Sequence, residues 1–175
     1  MKKLFLLLLT LTFGLSLYSQ KCKYLKNEVD EFTGSKIIEL KRERITKSMG
    51  SGFNAIDIGL RRVNDKVYIS LKLNSPSVFT TERGGKILFK SSTKEIFEFE
   101  FIENEVADYE STKSKYNPTN WYTYSYALID NQMLSKLSEL DIVKVRWYTT
   151  DGYIDNDVKK KKYRFFENLK RCIND

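Results

Sequence analysis

Two apolar runs of period two, separated by a short polar break, constrain this chain most. Ile56, Ile58 and Leu60 share one side of the segment Ala55 to Arg62, and Val67, Ile69, Leu71 and Leu73 share one side of the segment Val67 to Leu73. Asn64-Asp65 lies between them. Successive side chains of a strand point to opposite faces, so this alternation describes a sheet with one buried and one wet face, turned back on itself as a hairpin. A helix would scatter the same residues around its circumference.

The pattern recurs along the chain. Tyr24 to Val29 and Lys36 to Arg44 flank the turn-forming stretch Asp30-Glu31-Phe32-Thr33-Gly34. Val78 to Thr81 and Ile87 to Lys90 read as a second hairpin about Gly84-Gly85. Ser91-Ser92-Thr93 then turns into Glu95 to Glu103, where Phe97, Phe99 and Phe101 oppose Glu98 and Glu100. Trp121 to Ile129 divides into Tyr122, Tyr124, Tyr126 and Leu128 on one face and Trp121, Thr123, Ser125, Ala127 and Ile129 on the other. Either of those faces is apolar enough to be the inner one. Lys47 to Gly52 and Asn104 to Asn120 are polar and turn-rich, and the second is long enough for a substantial loop.

Helical spacing enters only in the last third. Asp130 or Asn131 can cap a short helix with Met133, Leu134 and Leu137 on one side. Ile142 to Thr149 returns to a strand, Thr150-Asp151-Gly152 turns, and Tyr153-Ile154 can pair briefly. The end reads as a helix with Phe165 or Phe166, Leu169, Cys172 and Ile173 inside, opposite a wet stripe of Lys160, Arg164, Glu167 and Arg171. The expected fold is a single α+β domain, mostly antiparallel β. It is arranged as a sandwich or open barrel of about seven to nine strands with two short helices in the C-terminal third.

The start of the chain has a different character. Met1-Lys2-Lys3, the mostly apolar run Leu4 to Leu17 and then Tyr18-Ser19 supply the charged start, apolar centre and small final residue of an export leader. The run is shorter than the roughly 20 residues that span a bilayer. It also contains Thr10, Thr12, Gly14 and Ser16, so cleavage between Ser19 and Gln20 is expected in preference to a retained anchor. Residues 1–19 are then the leader and residues 20–175 one β-rich domain, long enough for a single core. Export, periplasmic or secreted, places the chain in an oxidising compartment, where Cys22 and Cys172 are expected to form one bridge. Lys21 stands before Cys22 where lipid attachment needs a small residue, so Cys22 is not read as a lipid anchor.

Taken together, Val29-Asp30-Glu31-Phe32-Thr33-Gly34 with Ile37 soon after, the late strand ending in Arg146, then Asp151-Gly152-Tyr153 and a terminal helix holding Cys172 form a combination. It resembles small exported bacterial proteins of uncharacterised function. The resemblance covers most of the domain, implies a β-rich envelope or secreted protein, and brings no catalytic residue with it.

The chain contains no histidine, which removes Ser-His-Asp and Cys-His catalysis and the usual zinc sites. No metal, other cofactor or catalytic residue is expected. Glu98 and Glu100 lie about 7 Å apart along one strand face, a spacing that glycoside hydrolysis could use, although an amphipathic strand produces it too. Asp151, Asp155 and Asp157 do not follow the order of a calcium loop. Arg83-Gly84-Gly85-Lys86 lacks the spacing and following helix of a phosphate-binding loop. The better leads are aromatic and basic. Tyr122, Tyr124 and Tyr126 form a binding ladder if they face outward. Without Lys2 and Lys3 the chain carries 28 basic and 23 acidic residues, an excess of +5, and Val158 to Asp175 alone carries +5. Lys160, Arg164 and Arg171 are therefore candidates for contact with an anionic membrane or glycan surface or a protein partner. Export keeps the chain away from nucleic acid. The leading expectation is an exported, non-catalytic binding or interaction domain. The alternatives are a hydrolase using carboxylates such as Glu98 and Glu100, and a structural envelope protein held at an anionic surface.

Overall fold

A computed structural model describes residues 22–47, 54–111 and 119–174. The expected leader, Met1 to Ser19, lies outside the described residues, as do positions 48–52 of the first polar stretch and 112–118 of the second.

The described residues hold thirteen strands. They are β1 (Tyr24–Val29), β2 (Lys36–Leu40), β3 (Glu43–Arg44), β4 (Ile56–Val63), β5 (Lys66–Ser75), β6 (Thr80–Thr81) and β7 (Lys86–Ser91), followed by β8 (Ile96–Glu100), β9 (Glu105–Val106), β10 (Asp108–Ser111), β11 (Thr119–Ile129), β12 (Ile142–Thr149) and β13 (Gly152–Asp157). Two helices, α1 (Asn131–Ser138) and α2 (Phe165–Asn174), complete the mostly antiparallel α+β domain, with a 3-10 turn at Lys160–Lys162. The strand number exceeds the expected seven to nine in part because β3, β6 and β9 are two-residue ribbons, too short to carry a readable period.

One sheet runs β1-β2-β4-β5-β11-β10, with β3 also on β4, and curls into a half-barrel. The second runs β13-β12-β7-β8. Antiparallel bridges join the two at both margins, Thr46 to Val158 and Phe101 to Ala127. Lys159 N donates to Ile45 O at 2.8 Å beside the first, and Ile102 N to Tyr126 O at 3.0 Å beside the second. A circuit β3-β4-β5-β11-β8-β7-β12-β13 therefore returns to its start, and the body is an open barrel closed by two short seams. Strands β1 and β10 extend beyond it as edges.

The alternation read from the sequence fills this barrel. Ile56, Ile58 and Leu60 of β4, Ile69, Leu71 and Leu73 of β5, Phe89 of β7, Phe101 and Trp147 of β12 are buried in one core. Phe79 meets Trp147 edge-on at 5.0 Å and Phe89 meets Phe166 of α2 at 5.3 Å, the offset arrangements aromatic pairs prefer. The hydroxyls of Thr81 and Ser125, both buried, lie 3.0 Å apart and satisfy each other. In β12 a register shift between Ile142 and Lys144 lets Ile142 and Val145 both turn inward.

One expected pairing is different. Val78 to Thr81 does not form a hairpin with Ile87 to Lys90; β6 pairs with β9, and β7 pairs with β8 and β12. The glycine turn explains the change. Gly84, at φ +79°, donates to Phe101 O at 2.9 Å, and Phe101 N donates to Gly85 O at 2.8 Å, so the turn is itself taken up by the extension of β8.

Strands β2 and β3 both pair with β4, and the chain bends between them over Gly59. A Cβ on Gly59 would stand 2.8 Å from Leu40 O, closer than van der Waals contact allows, so only glycine lets this crossing close. The bend carries Lys41 and Glu43 toward the end of α2.

Candidate functional site

Helix α2 is ten residues long, too short to hold together in water on its own. Phe165, Phe166 and Ile173 are buried against the body, which contributes roughly 5–9 kcal/mol as an upper bound. The helix packs on α1, β2 and β4. Cys172 is joined to Cys22 by a disulfide with Cα atoms 5.5 Å apart, as expected, and the bridge pins the helix to the start of β1. The Tyr24 hydroxyl adds a hydrogen bond to Cys172 O at 3.3 Å. Acidic Glu167 in its first turn and basic Arg171 in its last both suit the helix dipole.

Where these pieces meet there is a cavity of about 290 Å³. Its floor is apolar: Leu40, Ile45, Ile58 and Phe165, all buried, with Leu169 and the disulfide at the side. Its rim is basic. Lys23, Lys41, Lys161, Lys162, Arg164 and Arg171 line it beside a single acid, Glu43, for a formal charge of +5. Three distant stretches of chain supply these charges. Lys41 N donates to Lys23 O at 2.8 Å, which holds the first two segments together, and the disulfide brings in the third.

Some of that charge is balanced locally. Glu43 accepts from Lys162, and Arg164 lies 3.2 Å from Glu167 and 4.0 Å from Asp141. Among the described residues, Lys23, Lys41, Lys161 and Arg171 have no carboxylate within ion-pair distance, and all four are exposed. Like charges gathered over an apolar surface repel, and an oxyanion placed among them relieves that repulsion.

Of the residues singled out in the sequence, Arg164 and Arg171 line this cavity. Lys160 does not. It sits exposed in the 3-10 turn, and Arg164 precedes α2, so the expected stripe of Lys160, Arg164, Glu167 and Arg171 belongs to more than one element. Lys23 and Lys41 carry no signal of a role in the sequence, since each lies among other charged residues of a strand-like stretch far from the basic end.

The tyrosines face outward, because Thr123, Ser125, Ala127 and Ile129 take the inner face of β11. Tyr124 is 41 % exposed. Their ring faces, however, are occupied by the protein's own cations. Arg42 lies 4.7 Å from the centre of the Tyr124 ring and Lys72 4.2 Å from that of Tyr122, while Arg61 lies 5.4 Å from that of Tyr126. Beneath them buried Glu39 accepts from Arg42 at 2.6 Å, and Arg42 also donates to the Tyr126 hydroxyl at 3.1 Å. Tyr126 thus roofs an ion pair, whose low exposure makes it sensitive to loss of either partner.

Glu98 and Glu100 are exposed on the outer face of β8, and Glu98 is held by Lys86 at 2.6 Å. The same contact raises the Lys86 pKa, first through the hydrogen bond and then through the charge of Glu98. Asp155 receives two hydrogen bonds from Arg146, at 2.6 and 2.7 Å, directly across the β12–β13 ladder. That pairing holds the Asp155 carboxyl below its usual value. A depressed carboxylate contributes stability above its unfolded pKa and loses it as the pH falls through the folded one. The carboxyl is partly exposed, so Asp155→Asn should lower stability at neutral pH by only about 0.5–1 kcal/mol. The gap from the unchanged protein should narrow in melts as the pH falls below the ordinary carboxylate range and through the depressed Asp155 pKa. A gap that persists there would mean the bridge is not its source.

Comparison with protein-family models, with curated proteins and with solved structures found no match to this chain.

Proposed function

We propose that this is an exported, non-catalytic binding domain that meets an anionic membrane surface through the cationic cap around α2. The observation that carries the reading is the convergence of six basic side chains from three separate segments on one apolar-floored cavity. A basic rim alone suits any polyanion; an apolar floor beneath it favours lipid over glycan, since glycan has no chain to place there. The disulfide fits an oxidising compartment. It joins the leader-like start of the sequence and the resemblance to small exported proteins in supporting export.

Two measurements test the two halves of this proposal. Protein recovered from its native host should have the mass of a chain beginning at Gln20; Met1 retained on most molecules would remove the export reading. Purified protein should sediment with vesicles containing phosphatidylglycerol at low salt, and not with phosphatidylcholine alone. Retention should fade as salt shortens the Debye length from about 30 Å at 0.01 M to about 8 Å at 0.15 M.

A further inference from the structure

We infer that the cavity beside the disulfide takes one anionic amphiphile: a phosphate or carboxylate head among the basic residues, with an alkyl chain on the apolar floor. The inference rests on the proposed cationic cap and names the ligand class of that same site. Size, lining and charge carry it together. At about 290 Å³ the cavity lies at the small end of the range for organic ligands, so it fits a single chain and not an extended polymer. Leu40, Ile45 and Ile58 are each at most 2 % exposed, and Phe165 5 %, so packing in the body fixes the floor, and the half-buried Leu169 and disulfide present its open apolar surface. Such a preformed apolar surface requires little ordering on binding.

The rim selects the head group. Lys23 and Lys41 approach from the β1–β2 side and Lys161 and Arg171 from the α2 side, so an oxyanion over the floor has cations on both flanks. Arg171 can offer paired N–H groups, and the lysines act as point charges. A neutral alcohol of the same length leaves that charge uncompensated. Inorganic phosphate compensates it but places nothing against Leu169 and the floor. Only a molecule with both parts uses both.

Calorimetric titration of the oxidised protein with butyl, hexyl and octyl phosphate, below micelle-forming concentrations, tests this. Affinity should rise about fourfold for each methylene that enters the cavity, with one molecule bound per chain. Hexanol and inorganic phosphate should each bind at least tenfold more weakly than hexyl phosphate. Equal affinity across the chain-length series, or inorganic phosphate matching hexyl phosphate, would overturn the inference. Leu169→Trp, which fills the cavity and leaves every charge in place, should weaken octyl phosphate at least tenfold while vesicle sedimentation persists. Undiminished octyl phosphate binding in that variant, folded, would also overturn it. Should Leu169→Trp fail to fold, the chain-length series on the unaltered protein decides the question alone. The two readings fail separately: vesicle binding without octyl phosphate binding refutes the cavity ligand, and octyl phosphate binding without vesicle binding refutes the membrane surface.

Discussion

Reduction of the Cys22–Cys172 bridge is expected to lower the melting temperature by about 10 °C. The bridge closes a loop of 150 residues, for which the chain-entropy model gives a stabilisation of about 5 kcal/mol, and bridges commonly deliver about 2–4. For a domain of this size each kcal/mol moves the midpoint by about 2–4 °C. The effect acts mainly on the unfolded chain, so α2 should remain docked below the transition through Phe165, Phe166 and Ile173. Thermal melts with and without reductant, and of Cys22→Ser with Cys172→Ser, check this. The double variant should melt with the reduced protein. Coincident melts of oxidised and reduced protein, or two free thiols in the folded unreduced protein, would contradict it.

The barrel wall is largely legible in the sequence because a sheet with one buried face repeats every two residues. The phenylalanines of β8 and the branched residues of β4 and β5 show this, and so does the Asp130 cap of α1, whose carboxylate accepts from Met133 N at 2.6 Å. The pairing of β6 with β9 is not legible. It depends on where the Gly84-Gly85 turn finds its hydrogen bonds, and Phe101, which supplies them, is distant in sequence. β13 is also longer than Tyr153-Ile154 implies, because its partner β12 satisfies the backbone as far as Asp157 regardless of side-chain period.

For the tyrosines, the sequence leaves the inner and outer faces of β11 undecided. Thr123 and Ser125 look too polar for a core, yet Ser125 is buried because Thr81 partners its hydroxyl. The site is less legible still. The basic end of the chain can be counted, but a cavity exists only where Lys23, Lys41 and α2 are brought together. That meeting follows from one disulfide and one bend over Gly59.

Removing the part of the rim that has no carboxylate partner among the described residues should abolish membrane binding and leave the fold intact. Lys23, Lys41, Lys161 and Arg171 are exposed and form none of the ion pairs, to Glu43 and Asp141, that tie Lys162 and Arg164 to the body. Their replacement by glutamine keeps length and polarity, so the melting temperature should move little. Each basic residue near an anionic surface contributes about 1 kcal/mol, and four together correspond to on the order of a thousandfold in partitioning at low salt. Replacing Lys160 alone should have little effect, because it stands away from the cavity.

The most direct measurement is co-sedimentation of the unaltered protein and the variant carrying Lys23→Gln, Lys41→Gln, Lys161→Gln and Arg171→Gln with phosphatidylglycerol-containing vesicles at low salt. The unaltered protein should pellet with the vesicles and the variant, with its melting transition preserved, should stay in the supernatant. A folded variant that pellets as fully as the unaltered protein would contradict the account.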